Sequence, residues 1–478
     1  MVSTNLKAFL KNISYTLVVN VISLLISLLT VLTLPKIMGV QEYSYWQLYL
    51  FYTTYIVFIS IGWVDGVYLR YGGFKYDDLP KTILTSQFWS MVLYLLTIFS
   101  VLSLGVLYSS VDENKKFVLL ATCVSGLIYI CRVYLQYVLQ STNKIVEYAK
   151  ILLIDRISFC TMIVLILILG EIGFKGLVII DLLIKLITLI YAMFKCSDII
   201  FGKLASIKET IKEILVNISV GIKLTIANFV GIFIIGIVRL GIEQNWDIET
   251  FGKVSFTLTV NNMVLGFINA IGLVIFPILC RMPSQFLSGI YINTRTVLIV
   301  PLLGILSIYY PLNIILSEWL PEYSMALHYM VLLFPIIIFE SKMSLIITPY
   351  LNAMRKERIL LMVNIIGVAL SLIISFFSMF VLESLTIAIV SITFLLAFRC
   401  ILAELYLANF LKINIKKDIL LEVLICLIFI VCNWYITSLF SMVVYLIVYL
   451  LYIAFNKKRI LDSINAVKKI LKRSSTLQ

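Results

Sequence analysis

Apolar residues in this chain come in windows of roughly twenty, parted by short polar breaks, and a helix needs about that length to cross bilayer hydrocarbon. Backbone amides in lipid must find partners within their own segment, so each window predicts a spanning helix. The strict alternation of a membrane barrel strand is absent from these windows. The pattern places spans at roughly 13–34, 44–64, 83–107, 117–139, 151–170, 174–194, 214–238, 254–278, 297–316, 325–348, 359–380, 385–407, 419–434 and 437–455. The last two are split only by Cys432-Asn433-Trp434-Tyr435. If they form one bent span the count falls to about 13 and the C-terminus changes sides. The expected fold is an all-α polytopic membrane protein of about 14 transmembrane helices.

Composition agrees with this. Of 478 residues, 62% are apolar and only 13% charged, too few charges to clothe a soluble chain of this length. The net charge of +13 could suit nucleic acid in a soluble protein. Here the basic residues sit in short loops between spans, so they read as orientation signals, with contact to lipid headgroups compatible. With a cytoplasmic N-terminus, the cytoplasmic segments collect Arg70, Lys75 and Lys81, then Lys195, Lys203, Lys208 and Lys212, then Arg281 and Arg295, and later Arg355, Lys356 and Arg358. The tail adds Lys457, Lys458, Arg459, Lys468, Lys469, Lys472 and Arg473. The opposite side has only Lys36, Lys115, Lys116, Lys175, Arg239 and Lys253. This bias puts both termini in the cytoplasm and makes the number of spans even. Most of the eight cysteines lie inside spans without a C-x-x-C pair, and His328 is the only histidine, so neither a metal site nor a disulfide scaffold is expected. The first apolar run ends Leu34-Pro35-Lys36 without a small-residue cleavage pattern and reads as a retained span.

The halves look related. Lys11-Asn12-Ile13-Ser14 opens the first span and Val216-Asn217-Ile218-Ser219 the seventh. Copies that start on the same side are related by an axis along the membrane normal, with a central cavity as the usual consequence. The organisation expected is a six-helix bundle over 1–195, a cytoplasmic linker over 196–213 with the spacing of a surface amphipathic helix, a second six-helix bundle over 214–408, an added helix pair over 409–456, and a basic cytoplasmic tail over 457–478.

Charges inside spans are costly unless they meet a partner or water, so each is a candidate. Lys223 falls near the middle of the seventh span, too deep to snorkel fully, and reads as lining a wet cavity or as meeting a structural partner. Arg132 is a second cavity candidate, although its stem can reach the interface. Asp65 and Arg70 close the second span within Gly62-Trp63-Val64-Asp65-Gly66-Val67-Tyr68-Leu69-Arg70-Tyr71-Gly72-Gly73. There they mark either a gate for an anionic headgroup or an ordinary aromatic belt with loop charges. Asp155 and Arg156 read as structural. Asp181 and Lys185 have i,i+4 spacing and compensate each other. Arg399 with Glu404 is taken as a similar pair, at a poorer spacing. Glu340 and Lys342, near Pro335 and Pro349, suggest a bend or gate.

The chain carries no Walker lysine loop, H-E-x-x-H or G-x-S-x-G, which points to a transporter or flippase rather than an enzyme. Taken together, Asn12 to Gly39 ending Leu34-Pro35-Lys36-Ile37-Met38-Gly39, the Gly62–Gly73 run, Gln140-Ser141-Thr142-Asn143-Lys144 and the Asn217–Lys223 stretch resemble the polysaccharide exporters, or O-antigen flippase-like proteins, of the multidrug/oligosaccharidyl-lipid/polysaccharide (MOP) superfamily. The resemblance covers nearly the whole chain. It implies two six-helix bundles around a central cavity plus two C-terminal helices, and translocation of undecaprenyl-diphosphate-linked oligosaccharide repeat units across a bacterial cytoplasmic membrane for surface polysaccharide (O-antigen or capsule) biosynthesis. It implies a lipid-linked oligosaccharide substrate, membrane lipids, and a glycan polymerase or glycosyltransferases as partners, with no nucleic acid and no cofactor. Coupling would be to a H+ or Na+ gradient or to the substrate's own gradient. Lys223 matches the family's cavity-lining position, and Arg132 matches less firmly. An ion-coupled drug exporter of the same superfamily and a non-transport scaffold of a glycan-assembly complex are the alternatives.

Overall fold

The computed structural model describes the backbone of residues 2–170, 172–272, 287–436 and 439–476, and side chains within 24–466 apart from 169, 171, 270–286 and 437–439. Cys280, Arg281 and the end of the expected 254–278 span lie outside the described residues, as do the side chains of Lys11 to Ser14. Every regular element among the described residues is helical. Eleven of these helices are long and apolar enough to cross a bilayer, and the pair Pro321–Leu333 and Ile336–Ala353, bent by 46°, makes a twelfth. Leu93, Val101, Ile168, Phe194 and Phe455 are each more than 60% exposed, an outward greasiness that only lipid accommodates. The protein is an all-α, multi-span integral membrane protein.

The chain divides into two compact units, Met1–Phe229 and Val230–Gln478. In the first, α1 (Val2–Tyr55) is interrupted at Gly39, whose φ of 72° and ψ of 171° are open essentially to glycine alone. A short 3-10 turn, Ile56–Ser60, follows, and Ile61 and Gly62 both take positive φ before α2 (Trp63–Arg70). Then come α3 (Lys81–Tyr108), α4 (Glu113–Ser141), α5 (Ile145–Leu169) and α6 (Phe174–Lys195). Asp112 caps α4 by accepting from the backbone N–H of Asn114 and Lys115 at 3.0 and 3.2 Å, groups the helix itself leaves unpaired. Two thirds of α4's most apolar stretch is buried, against 17% for α3, so α4 is the axis of this unit and α3 faces lipid.

The linker departs from the expected amphipathic helix. Over 196–206 only a single turn forms, α7 (Ser197–Ile200), and residues 201–206 are irregular. Trp89 Nε1 donates to the Ile200 carbonyl and Ala205 N–H to Ser86 Oγ, so α3 satisfies backbone groups that helix formation would otherwise use. The remainder of the linker belongs to α8 (Ile207–Asn245), which contains the boundary between the units.

The second unit continues through α9 (Ile248–Gly272), α10 (Leu287–Ile305), α11 (Tyr309–Trp319), α12 (Ser324–Leu333), α13 (Ile336–Lys342) and α14 (Thr348–Ala353). It ends with α15 (Glu357–Phe376), α16 (Leu385–Phe410), α17 (Lys416–Tyr435) and α18 (Leu439–Thr476). The last helix packs along α10, where the Tyr445 and Tyr449 hydroxyls donate to the carbonyls of Leu303 and Val300 at 2.6 and 3.0 Å.

Candidate functional site

In the first unit the Gly62–Gly73 run and the opening of α8 are one structure. A methyl on Gly62 would meet the Ile222 backbone nitrogen at 2.5 Å, and one on Gly66 or Gly221 would run into the facing backbone. Small residues at these positions let the two helices touch main chain to main chain. Polar side chains then fasten them. Asp65 accepts from Thr225 Oγ1. Arg70 Nη1 donates to Asn217 Oδ1 at 2.7 Å and pairs with Glu213 at 2.8 Å. Gln87 of α3 accepts from both Trp63 Nε1 and Asn217 Nδ2, at 3.1 and 2.7 Å. Asp65 and Arg70 therefore each have a partner on α8, Thr225 for the one and Asn217 with Glu213 for the other.

A third stretch joins below them. Gly73 N–H donates to the Ser141 carbonyl at 3.1 Å, and Lys144 Nζ lies 3.6 Å from the Tyr76 ring centre. Tyr76 OH and Lys81 Nζ both reach Asp198 of the linker, at 2.7 and 2.8 Å. Burial would raise the Asp198 carboxyl's pKa, but these two donors outweigh it and hold the group below the ordinary carboxylate range.

Lys223 occupies the other side of α8. Asn217, Gly221 and Thr225 are buried, while Lys212, Leu215, Ser219, Lys223 and Ile226 are exposed along one stripe. Among the described residues no carboxylate pairs with Lys223. Arg132 and Lys185, also read as lying within spans, are treated differently. Arg132 is buried and donates through Nη1 to Asp155 at 2.6 Å and to Thr188 at 2.8 Å. Lys185 meets Asp181 at 2.6 Å, with Tyr49 OH donating to the same carboxylate. Arg156, at the start of its span, is exposed and has no ion pair among the described residues.

The second unit corrects the pairing of its charges. Arg399 does not meet Glu404, since five residues turn a helix through about 500° and leave the two pointing apart. Arg399 Nη2 instead grips both oxygens of Glu340, at 2.6 and 2.8 Å. Glu404 accepts from Arg295 Nε and Lys342 Nζ, each at 2.7 Å, and from Tyr291 OH at 3.0 Å. Glu422 completes a ring, 2.6 Å from Arg295 and 2.5 Å from Lys342. All four charged side chains are at most 2% exposed. Asp418 extends the cluster to Arg459, at 2.7 Å. Glu340 and Lys342 thus serve two different clusters. Sequence reading left out Glu422 and Tyr291 and took Arg295 for a loop residue, because α10 begins well before the expected span. Arg295 and Glu422 lie eight and six residues after the starts of α10 and α17, and Glu404 six residues before the end of α16, so a charge two turns inside a helix end was the available signal.

No protein-family model matches this chain, and no curated protein matches it in sequence. Solved structures do share its fold. The lipid II flippase MurJ, in an inward closed conformation, aligns with a TM-score of 0.64 over 94% of this chain and 100% of its own, at 12% identity. An inward-facing multidrug resistance MATE family transporter of the MOP superfamily aligns with a TM-score of 0.58 over 81% of this chain and 96% of its own, also at 12% identity. At such identities the likeness is one of fold alone, the helical fold of these two transporters.

Proposed function

We propose that this protein transports by alternating access and that its cargo is a lipid-linked oligosaccharide, an undecaprenyl-diphosphate-linked repeat unit turned from the inner to the outer leaflet for surface polysaccharide. The observation that carries the reading is Lys223, a lysine midway along a spanning helix, exposed and without a carboxylate partner among the described residues. A diphosphate loses hydration on entering a bilayer, and a nearby ammonium offsets that loss: one pair at 4 Å is worth about 1 kcal/mol in water and about 4 kcal/mol at an effective dielectric of 20. The sugars need the same wet path, while the polyprenyl tail stays in lipid. The fold shared with a protein described as a lipid II flippase supports this cargo class.

In this reading both termini are cytoplasmic. About 14 spans form two six-helix bundles around a central cavity, with a C-terminal pair added, and rocking of the bundles exposes the cavity alternately. A H+ or Na+ gradient, or the cargo's own, drives the cycle. A glycan polymerase and glycosyltransferases act on either side of the step. Asp65 and Arg70, latched to α8, gate the path.

The test measures lipid-linked repeat units on each side of the membrane together with surface glycan. Lys223→Ala should lower surface glycan and raise inner-leaflet intermediate at unchanged protein level, Lys223→Arg should restore output, and Lys223→Glu should not. Normal output from Lys223→Ala at equal expression would overturn the assignment. The MATE likeness favours a second reading, ion-coupled export of small molecules or drugs, under which Lys223→Ala would alter drug resistance and leave surface glycan untouched.

A further inference from the structure

The second unit holds a cavity of about 410 Å³ where α11 and α12 meet the end of α17 and the start of α18, within the roughly 300–1,000 Å³ usual for small-molecule sites. Its polar lining includes Tyr309, Tyr310, Asn313, His328, Asn433 and Ser441, and its floor is Leu327 and Val331. No aspartate, glutamate, lysine or arginine lines it.

The polar groups fall into two sets. Asn433 donates to Tyr310 OH at 3.0 Å and to the Phe429 carbonyl at 2.8 Å, and accepts from Ser441 Oγ at 2.9 Å. Tyr310 OH in turn donates to the Ser441 carbonyl at 3.0 Å. This set is a frame, with its bonds made. The other set is unused: the Asn313 amide, the His328 imidazole and the Tyr309 hydroxyl make no hydrogen bond to any described residue. The His328 ring is backed by Trp434, with centres 4.0 Å apart, so its edge is held in place.

The chemistry narrows the occupant. A phosphate would find no cation here. A purely apolar chain would strip water from the amide, imidazole and hydroxyl and return no hydrogen bonds, at a cost for each. A sugar ring satisfies both kinds of surface, with hydroxyls for the unused groups and C–H faces for the aromatic and aliphatic walls. We infer that this cavity is a binding site for a neutral sugar residue, separate from any site that holds the diphosphate. That the sugar belongs to the exported glycan rests on the function proposed above, whereas the site itself does not.

The probe is the neutral oligosaccharide released from the cell's own surface polysaccharide by mild acid and freed of lipid and phosphate. It is added to the purified full chain in a detergent without a sugar headgroup. Saturable quenching of tryptophan fluorescence is expected, lost in Trp434→Phe, with equilibrium dialysis as an independent readout. Asn313→Leu and His328→Leu should each weaken binding by about tenfold, the loss of one good hydrogen bond, while Asn364→Leu, in α15 and not among the lining residues, should not. No saturable binding by dialysis up to about 50 mM, or binding indifferent to both lining substitutions, would overturn the site. A protein that exports normally but fails here loses only this site. One that binds here while Lys223→Ala leaves surface glycan normal loses only the export assignment.

Discussion

The ring of Arg295, Lys342, Glu404 and Glu422 and the stretch of α8 around Lys223 both set charge among apolar helices, and they treat it in opposite ways. In the ring each cation touches two carboxylates and each carboxylate touches two cations, with the side chains shut from solvent. On α8 Lys223 stands exposed with no carboxylate partner among the described residues, while Asp65 of α2 is held by Thr225 on the buried side of α8. A closed ring has no charge left over for a ligand. What it does is fix the register of α10, α13, α16 and α17, because each helix must present its charge at one depth. An open lysine fixes nothing and is available to an anion. Charge in a membrane protein is therefore read from its partners rather than from its presence.

The largest effect should come from opening the ring. Lys342→Ala leaves two buried carboxylates facing one guanidinium, and breaking a buried pair in this way costs about 3–5 kcal/mol. Thermal unfolding of the detergent-purified protein should show a large drop, with little protein reaching the membrane. Lys342→Met combined with Glu422→Gln removes one charge of each sign and should recover most of the loss, since Arg295 and Glu404 remain paired. If Lys342→Ala were as stable as the wild type, the ring would not be what holds these helices together.

A smaller effect tests the packing beneath Lys223. Gly221→Ala places a methyl against the backbone of Gly62 and Gly66, and overpacking of this kind costs about 1–3 kcal/mol. Gly105→Ala is the control, since nothing lies within 4 Å of the added carbon, and it should unfold like the wild type. Equal melting of the two variants would mean that α2 and α8 are not locked by backbone contact.

How much of this was legible in the sequence follows from the range of each interaction. Windows of about twenty apolar residues dictate helices whatever their neighbours do, so the all-α multi-span class is written locally. The Asp181 and Lys185 contact is also local, since i,i+4 spacing brings side chains together on any helix. Arg399 and Glu404 tempted the same reasoning and failed, because their true partners, Glu340 and the Arg295–Lys342 pair, come from other helices. Spacing along one helix says nothing about which helix lies opposite. Glu422 and Arg295 were hidden for a related reason. Each lies where hydropathy places the start of a span, and hydropathy alone does not distinguish a charge facing the interface from one turned inward a turn deeper. Glycine carries part of the signal: Gly66 and Gly221 sit where a methyl would run into facing backbone, Gly62 also takes a positive φ, and spacing alone does not say which helix lies opposite.

The smallest change in stability carries the sharpest comparison. Ser219 lies four residues before Lys223 on the same exposed stripe, and glutamate ahead of lysine is the favourable order for an i,i+4 pair. Ser219→Glu would give Lys223 the local partner that Asp181 gives Lys185, and should add about 0.2–0.5 kcal/mol at most, barely visible in a melting curve. If Lys223 serves by being unpaired, this variant should lower surface glycan about as far as Lys223→Ala while the protein stays as abundant as before. Ser219→Gln, of similar size but uncharged, should leave export near normal, which separates pairing from bulk. Full glycan output from Ser219→Glu would mean that the lysine's open charge is not what the cargo meets, and the contrast between the two regions would reduce to one of burial.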